Sequence, residues 1–365
     1  MSADSIKKDS TPRIRGAQIK LLEKLCNACS VSGDENEVRS IVLDEIRAHA
    51  DSVEVDALGN VLATRQGTSS PRKKRLRVML AAHMDEIGFM IIHREEDGIY
   101  RFDTVGGIDV KQLVGKSVLV GHDHIPGVIG AKPIHLTTSS ERKNSISLDA
   151  LRIDIGLEGN QKLTLGDRAT FATQFTRVGP SIRAKALDDR LGVATLIELL
   201  KQAPENIDLL AAFTVQEEVG LRGAQVAAYA FEPDLGIALD STPAIDLPGW
   251  DQEENSHYNT RLDAGPAIYL ADSATLADPR LIRHFADSAE QNNLPYQFRQ
   301  PGGGGTDAGA IHRSRAGVPS ISISVPARYL HTAAGIARLS DWKNTLTLLY
   351  SALSNMSPGL LSSER

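Results

Sequence analysis

A chain of 365 residues is long for a single domain and suits one large domain carrying a smaller insertion. Hydrophobic residues at 41% and charged residues at 24% describe a folded protein with a sizeable core, and a net charge of −6 without a basic stripe argues against nucleic acid as a partner. No apolar run approaches the ~18 residues needed to cross a bilayer, and Met1–Arg15 is polar with no apolar signal core, so residues 1–16 are expected to be a disordered tail on a cytoplasmic protein without a membrane partner.

Ala17–Cys29 and Glu35–Ala50 read as amphipathic helices, the second begun by the polar turn Ser32-Gly-Asp-Glu35. The only cysteines, Cys26 and Cys29, have C-x-x-C spacing but fall inside the first helical pattern, so both are assigned to the core. Val53–Val55 and Asn60–Thr64 are short strands across a Leu58-Gly59 turn, and Arg72–Arg75 is a solvated basic loop. Leu76–Ala82 is nearly continuous in apolar residues, the pattern of a strand covered on both faces, and it runs into His83-Met-Asp85.

From Gly88 to Thr176 the segments become short and alternating. A hairpin over Phe89–Phe102 with an Asp97-Gly98 turn is followed by strands Ser117–Val120, Gly127–Gly130 and Arg152–Ile155. This predicts a small β-barrel inserted over 88–176, on which His122 and His124 are exposed without a carboxylate partner. His93, His135 and His312 are also read as surface residues.

Strand–helix alternation returns after Ser181. Helices are predicted at Asp189–Gln202, Ala224–Ala230, Asp278–Asn292 and from Ser340, and strands at Leu209–Phe213, Leu235–Leu239, Pro266–Leu270 and Ser320–Val325. The predicted fold class is α/β: a mostly parallel sheet flanked by helices, built from 17–87 and 177–358, with the barrel inserted. Glycine-rich Pro301–Thr306 lacks the residue order of a phosphate-binding loop.

In open α/β sheets ligands gather at the carboxyl ends of strands. Metal-ligand side chains stand after apolar segments at His83, Asp188, Glu218, Asp240 and His331. Three carboxylates and two imidazoles suffice for two divalent ions if one carboxylate bridges, and mixed nitrogen and oxygen donors favour zinc, cobalt or manganese. Asp85, two residues from His83, is placed to fix the imidazole tautomer. Glu217, beside Glu218, is the candidate general base, because adjacent side chains of an extended chain point to opposite sides. Singly these signals are unspecific. A His-x-Asp is usually on the surface, and a Glu-Glu pair is usually a solvated helix start.

Together, His83-Met-Asp-Glu-Ile-Gly88, Lys185-Ala-Leu-Asp-Asp-Arg190, Gln216-Glu-Glu-Val-Gly220, Gly305-Thr-Asp-Ala-Gly309 and Val325-Pro-Ala-Arg-Tyr-Leu-His331 resemble the M42 family of dinuclear metallo-aminopeptidases. These are the tetrahedral or TET enzymes, including glutamyl aminopeptidases, and the resemblance spans 17–357. In the insert, Val105-Gly-Gly-Ile-Asp109 and Gly127–His135 resemble the family's PDZ-like dimerisation domain. The resemblance implies removal of N-terminal residues from short peptides by a metal-activated water, with Glu217 as base and Asp85 orienting His83. It implies two divalent ions per subunit, zinc or cobalt with manganese as a further option. Asp188 would bridge them, His83 would complete one sphere and His331 the other, and Glu218 and Asp240 would be divided between them. It further implies a homo-oligomer, a dodecamer built from dimers. The acidic stretch Asp246–Asn255 and the four glycines before Thr306 depart from the family pattern and bear on side-chain preference. Rival readings are a deacylase or carboxypeptidase on the same scaffold, a non-catalytic assembly protein, and an endoglucanase. The last is disfavoured by an aromatic content of 5%, since sugar sites present aromatic platforms.

Overall fold

Four apolar runs organise the chain. Ile207–Thr214, Leu76–His83, Leu235–Pro243 and Ser320–Arg328 lie side by side in that order, all parallel, at the centre of one sheet. A computed structural model describes residues 12–69, 75–96, 98–156, 163–247 and 260–365. Residues 1–11 of the tail, Arg72–Lys74 of the basic loop, Asp97 of the hairpin turn and 248–255 of the acidic stretch lie outside the described residues.

The continuous apolar texture of Leu76–His83 has a direct cause. Val78, Leu80 and Ala82 face the helices Gly16–Asn27, Asn36–Ile46 and Leu187–Lys201, whereas Met79 and Ala81 face Arg222–Phe231 on the other side. Alternation vanishes when both faces are dry. Ala224, Ala227 and Ala228 are all buried, and side chains this small let their helix sit close to the sheet. Leu339–Ser354 adds Trp342 to the larger core, its indole N–H donating to Thr195 Oγ1 at 2.9 Å.

The sheet, of 11 strands among the described residues, is mixed rather than mostly parallel. Val61–Arg65 runs antiparallel to Ile207–Thr214 and carries Ser52–Val55 as its hairpin partner. At the other edge Gly335–Arg338, Ser181–Ala184 and Thr176–Val178 continue the sheet antiparallel. These edge strands have three or four residues each, too few to show a period, and so the sequence pattern overstated the parallel share.

Gly88–Glu96, Ile99–Val105, Arg152–Asp154, Ile125–Gly130, Ser117–Val120 and Arg168–Phe171 close into an antiparallel barrel in that order. Its core is separate from that of the large sheet. Phe89 sits at its middle, edge-to-face against Phe102 and Phe171 at 5.2 Å each. Two expectations need correction here. Cys29 lies beyond the end of the first helix and is only half-buried, whereas Cys26 is a core residue. His124 is half-buried, and both barrel histidines have carboxylate neighbours, because the segment 29–37 packs against the turn that carries them. That contact is tertiary and leaves no local trace.

Candidate active site

Strand register brings the first donors together. Thr214 pairs with His83, so the Glu217-Glu218 turn emerges beside it; Ala238 pairs with Ala81, so Asp240 is level with His83 two residues later. Asp188 enters from the start of the helix Leu187–Lys201, and His331 from the loop after Ser320–Arg328. Ala186, Gln216, Leu221, Tyr329 and His331 all hold a left-handed backbone, with φ between 55° and 62°. That conformation is uncommon for non-glycine residues, and its concentration on loops around one cavity marks a place where side-chain aim outweighs local backbone preference.

Asp188 is the pivot. Its Oδ1 lies 3.2 Å from His83 Nε2 and its Oδ2 3.6 Å from His331 Nε2. Asp240 Oδ1 is 3.9 Å from the same His83 nitrogen, and Glu218 Oε2 is 3.5 Å from the same His331 nitrogen. Both rings use their other nitrogen elsewhere. His83 Nδ1 faces the backbone carbonyl of Asp85 at 3.2 Å and its Oδ1 at 3.5 Å, and His331 Nδ1 faces the Gly107 carbonyl at 2.9 Å. With Nδ1 as the N–H, each Nε2 presents a lone pair toward its carboxylates, the arrangement of metal-ligating histidine. Donor atoms of His83, Asp188 and Asp240, and of Asp188, Glu218 and His331, lie within 4.8 Å of one another in each trio.

Asp85 does more than face His83. Its carboxylate accepts the backbone N–H of Glu217 at 3.0 Å and of Glu218 at 3.2 Å, and the Ser32 hydroxyl at 2.6 Å. It therefore fixes the turn that bears the paired glutamates. Gln216 is left-handed and Glu217 opens a turn whose carbonyl accepts from Gly220 and Leu221, so the pair is not on extended chain as expected. The two side chains diverge through turn geometry instead of strand alternation.

Charge in this site is one-sided. Burial first, then Asp307, Glu218 and Asp85, push the Glu217 carboxyl well above its usual range. Burial and then Asp188 and Asp189 do the same to Asp240, and burial with Asp188 nearby raises Glu218 to about 7. The hydrogen-bonding contact with Asp188 raises His331 to about 10. Burial opposes charge on His83, yet Glu217, Asp188 and Asp85 outweigh it and hold that imidazole well above its ordinary value. Carboxylates outnumbering imidazoles at this distance require cations or protons. The donor set of two trios sharing Asp188 fits two divalent ions of the zinc type. Around it opens a cavity of about 620 Å3, walled on its far side by Tyr269, Ser273 and Gly303–Gly305.

Comparison with known proteins gives the family. The family model for M42 glutamyl aminopeptidases matches residues 59–348. The chain belongs to the M42 family. A putative aminopeptidase of Acetivibrio thermocellus is 35% identical over 91% of this chain and 97% of its own length. The solved structure of an aminopeptidase from Desulfurococcus kamchatkensis superposes with a TM-score of 0.87 at 34% identity, covering 95% of this chain and 97% of that one. The TET1 peptidase of Pyrococcus horikoshii, which can assemble into a tetrahedron or a large octahedral shell, gives 0.80 at 33% identity over 93% of this chain and 100% of its own.

The structure also brings to this M42 site residues that the sequence reading passed over. Asp307 is buried, accepts from Thr214 Oγ1 at 2.5 Å and is raised to about 6 by burial. Its Oδ1 and Asp189 Oδ2 have no hydrogen-bond partner. Asp189 stands beside Asp188 in Lys185–Arg190, and Asp307 stands in Gly305–Gly309. Arg299 is buried under the Tyr269 ring at 4.4 Å and donates to the carbonyls of Ala271 and Gly303, holding the glycine-rich wall in place. No local pattern announces it. Gly106 and Gly107, at the barrel's edge, reach the site as well: a Cβ on Gly107 would meet His331 Nδ1 at 3.2 Å, and one on Gly106 would meet Glu218 Cβ at 3.3 Å.

Proposed function

We propose that this chain is an aminopeptidase working with two divalent ions, His83 and Asp240 holding one, His331 and Glu218 the other, and Asp188 both. The observation that carries this reading is the split of Asp188, whose two oxygens face two different imidazoles. Zinc or cobalt, with manganese as the further option, suits such donors, and when bound these ions supply Lewis acidity toward water and toward a carbonyl oxygen. Glu217, lining the cavity beside Glu218, takes the proton of the attacking water and passes it to the amine nitrogen as the peptide bond breaks. Asp85 is a positioning residue, acting through His83 and the Glu217-Glu218 turn. The excess of carboxylates favours a substrate with a free, cationic N-terminus, and so short peptides cut one residue at a time.

The test uses aminoacyl-nitroanilides and their N-acetylated counterparts. Hydrolysis is expected only with the free amine, with up to two ions per chain, reversible loss on chelation and recovery with cobalt or zinc. Full activity in metal-free protein, or equal cleavage of blocked substrates, overturns the reading.

The same reading makes 88–176 a PDZ-like dimerisation domain inserted in a catalytic domain formed by 17–87 and 177–358. The likeness to TET1, which one solved structure shows as a dodecamer, supports a dodecamer, which the same reading builds from dimers and puts in the cytoplasm. Among the described residues no helix is long and apolar enough to cross a membrane. Light scattering should give a mass many times the 39.4 kDa chain. A monomer at micromolar concentration contradicts the assembly.

A further inference from the structure

A second cluster of metal-ligating side chains lies where the barrel meets the first two helices. Cys29 follows the helix Gly16–Asn27, Glu37 stands in the first turn of Asn36–Ile46, and His124 closes the turn between barrel strands Ser117–Val120 and Ile125–Gly130. One donor atom from each, a sulfur, a carboxylate oxygen and an imidazole nitrogen, lies within 4.8 Å of the other two. His124 holds a left-handed backbone, φ 50°, which aims its ring across the junction at a segment 87 residues away.

The carboxylate is pre-oriented. Glu37 Oε2 accepts the backbone N–H of Cys29 at 2.8 Å, and Oε1 is left facing His124 Nε2 at 2.5 Å. Beside Cys29 and Glu37 is a cavity of about 30 Å3, lined also by Asp34 and His122 but not by His124. One water or one ion fills a space of roughly that volume. His122 Nδ1 and Asp34 Oδ2, on the wall of the same cavity, are 3.7 Å apart. The nearby cations are engaged elsewhere: Arg168 donates to the carbonyls of Ser32 and Gly166, and Lys185 to Glu86 and the Ala28 carbonyl. This cavity shares no lining residue with the larger one that holds His83 and Glu217.

We propose that Cys29, Glu37 and His124 bind one thiophilic divalent ion of the zinc type, separate from the catalytic pair. A sulfur donor beside nitrogen and oxygen selects zinc or cobalt over magnesium or calcium. Its role is structural. The ion clips the barrel to the first two helices.

Cobalt(II) chloride added to the full-length protein provides the test, because thiolate ligation gives a charge-transfer band in the near ultraviolet. The catalytic donors include no sulfur, so the band reads this site alone, whatever the outcome for the aminopeptidase reading. The expected result is the band together with one ion beyond the catalytic complement. Cys29→Ser and His124→Gln should each lose that ion, Cys29→Ser should abolish the band, and both should keep nitroanilide hydrolysis within about twofold. Cys26→Ser should keep the band. Wild-type protein stripped of bound metal by a chelator that then shows no band in excess cobalt overturns the proposal, whether or not the variants fold, and leaves Glu37 and His124 as a simple hydrogen-bonded contact. Metal content unchanged in Cys29→Ser overturns it equally.

Discussion

Glu217→Gln is expected to lower kcat by about a hundred- to ten-thousand-fold while leaving KM and metal content nearly unchanged. The amide keeps the shape of the side chain but cannot accept the proton of the attacking water. The turn should survive, because its anchors are the backbone N–H groups of Glu217 and Glu218 on Asp85, which the substitution does not touch. Glu218→Gln makes the contrast. It replaces an anionic donor 3.5 Å from His331 Nε2 by a neutral one, so it should lose one ion and regain part of its activity in excess cobalt or zinc. Measuring kcat beside metal stoichiometry separates the two residues. A Glu217→Gln protein that loses metal while Glu218→Gln keeps both ions would reverse their roles.

Lys185→Met is expected to cost about 3–5 kcal/mol of stability. Beneath the site, Lys185 Nζ donates to both oxygens of Glu86, at 2.7 and 2.8 Å, and to the Ala28 carbonyl at 2.6 Å. Arg190 reaches the same carboxylate at 3.3 Å and also donates to the carbonyls of Met84 and Asp85; all three charged side chains are almost wholly buried. Glu86 further accepts from the Ser30 N–H and, across the barrel junction, from the Thr170 hydroxyl. Removing the lysine takes the two shortest cationic contacts from the buried carboxylate and leaves it Arg190 at 3.3 Å, and the cost is large beside a typical folding stability of about 5–15 kcal/mol. Glu86→Gln combined with Lys185→Met should recover only part of the loss, since the anion is gone but Arg190 is then left on backbone carbonyls without it. Urea unfolding at fixed protein concentration provides the measurement, because the apparent stability of any oligomer depends on concentration. A change below about 1 kcal/mol would show that the network is dispensable.

The legible part of this protein was written in local pattern. Apolar runs ending in His83, in the Glu217-Glu218 pair and in Asp240 are visible without coordinates, because strands dry on both faces must be continuously apolar and their carboxyl ends must then turn polar. The five metal-ligand candidates named from those endings come together in the structure as two trios sharing Asp188. The short antiparallel edges were not legible. Strands such as Ser181–Ala184 take their state from a neighbour, Gly335–Arg338, that is remote in the chain.

The sequence by itself determined the donor types, their attachment to strand ends and the family of the chain, because each of these is carried by residues close together in the chain. Only the tertiary structure decided which atoms face each other. The aim of each Nε2 depends on carbonyls supplied by Asp85 and by Gly107 of the barrel. Asp85 serving the glutamate turn, Asp307 behind it, Arg299 bracing the glycine-rich wall and Cys29 meeting His124 are all contacts between distant segments. A contact of that kind follows from packing whole elements against one another, which no window of the sequence encodes.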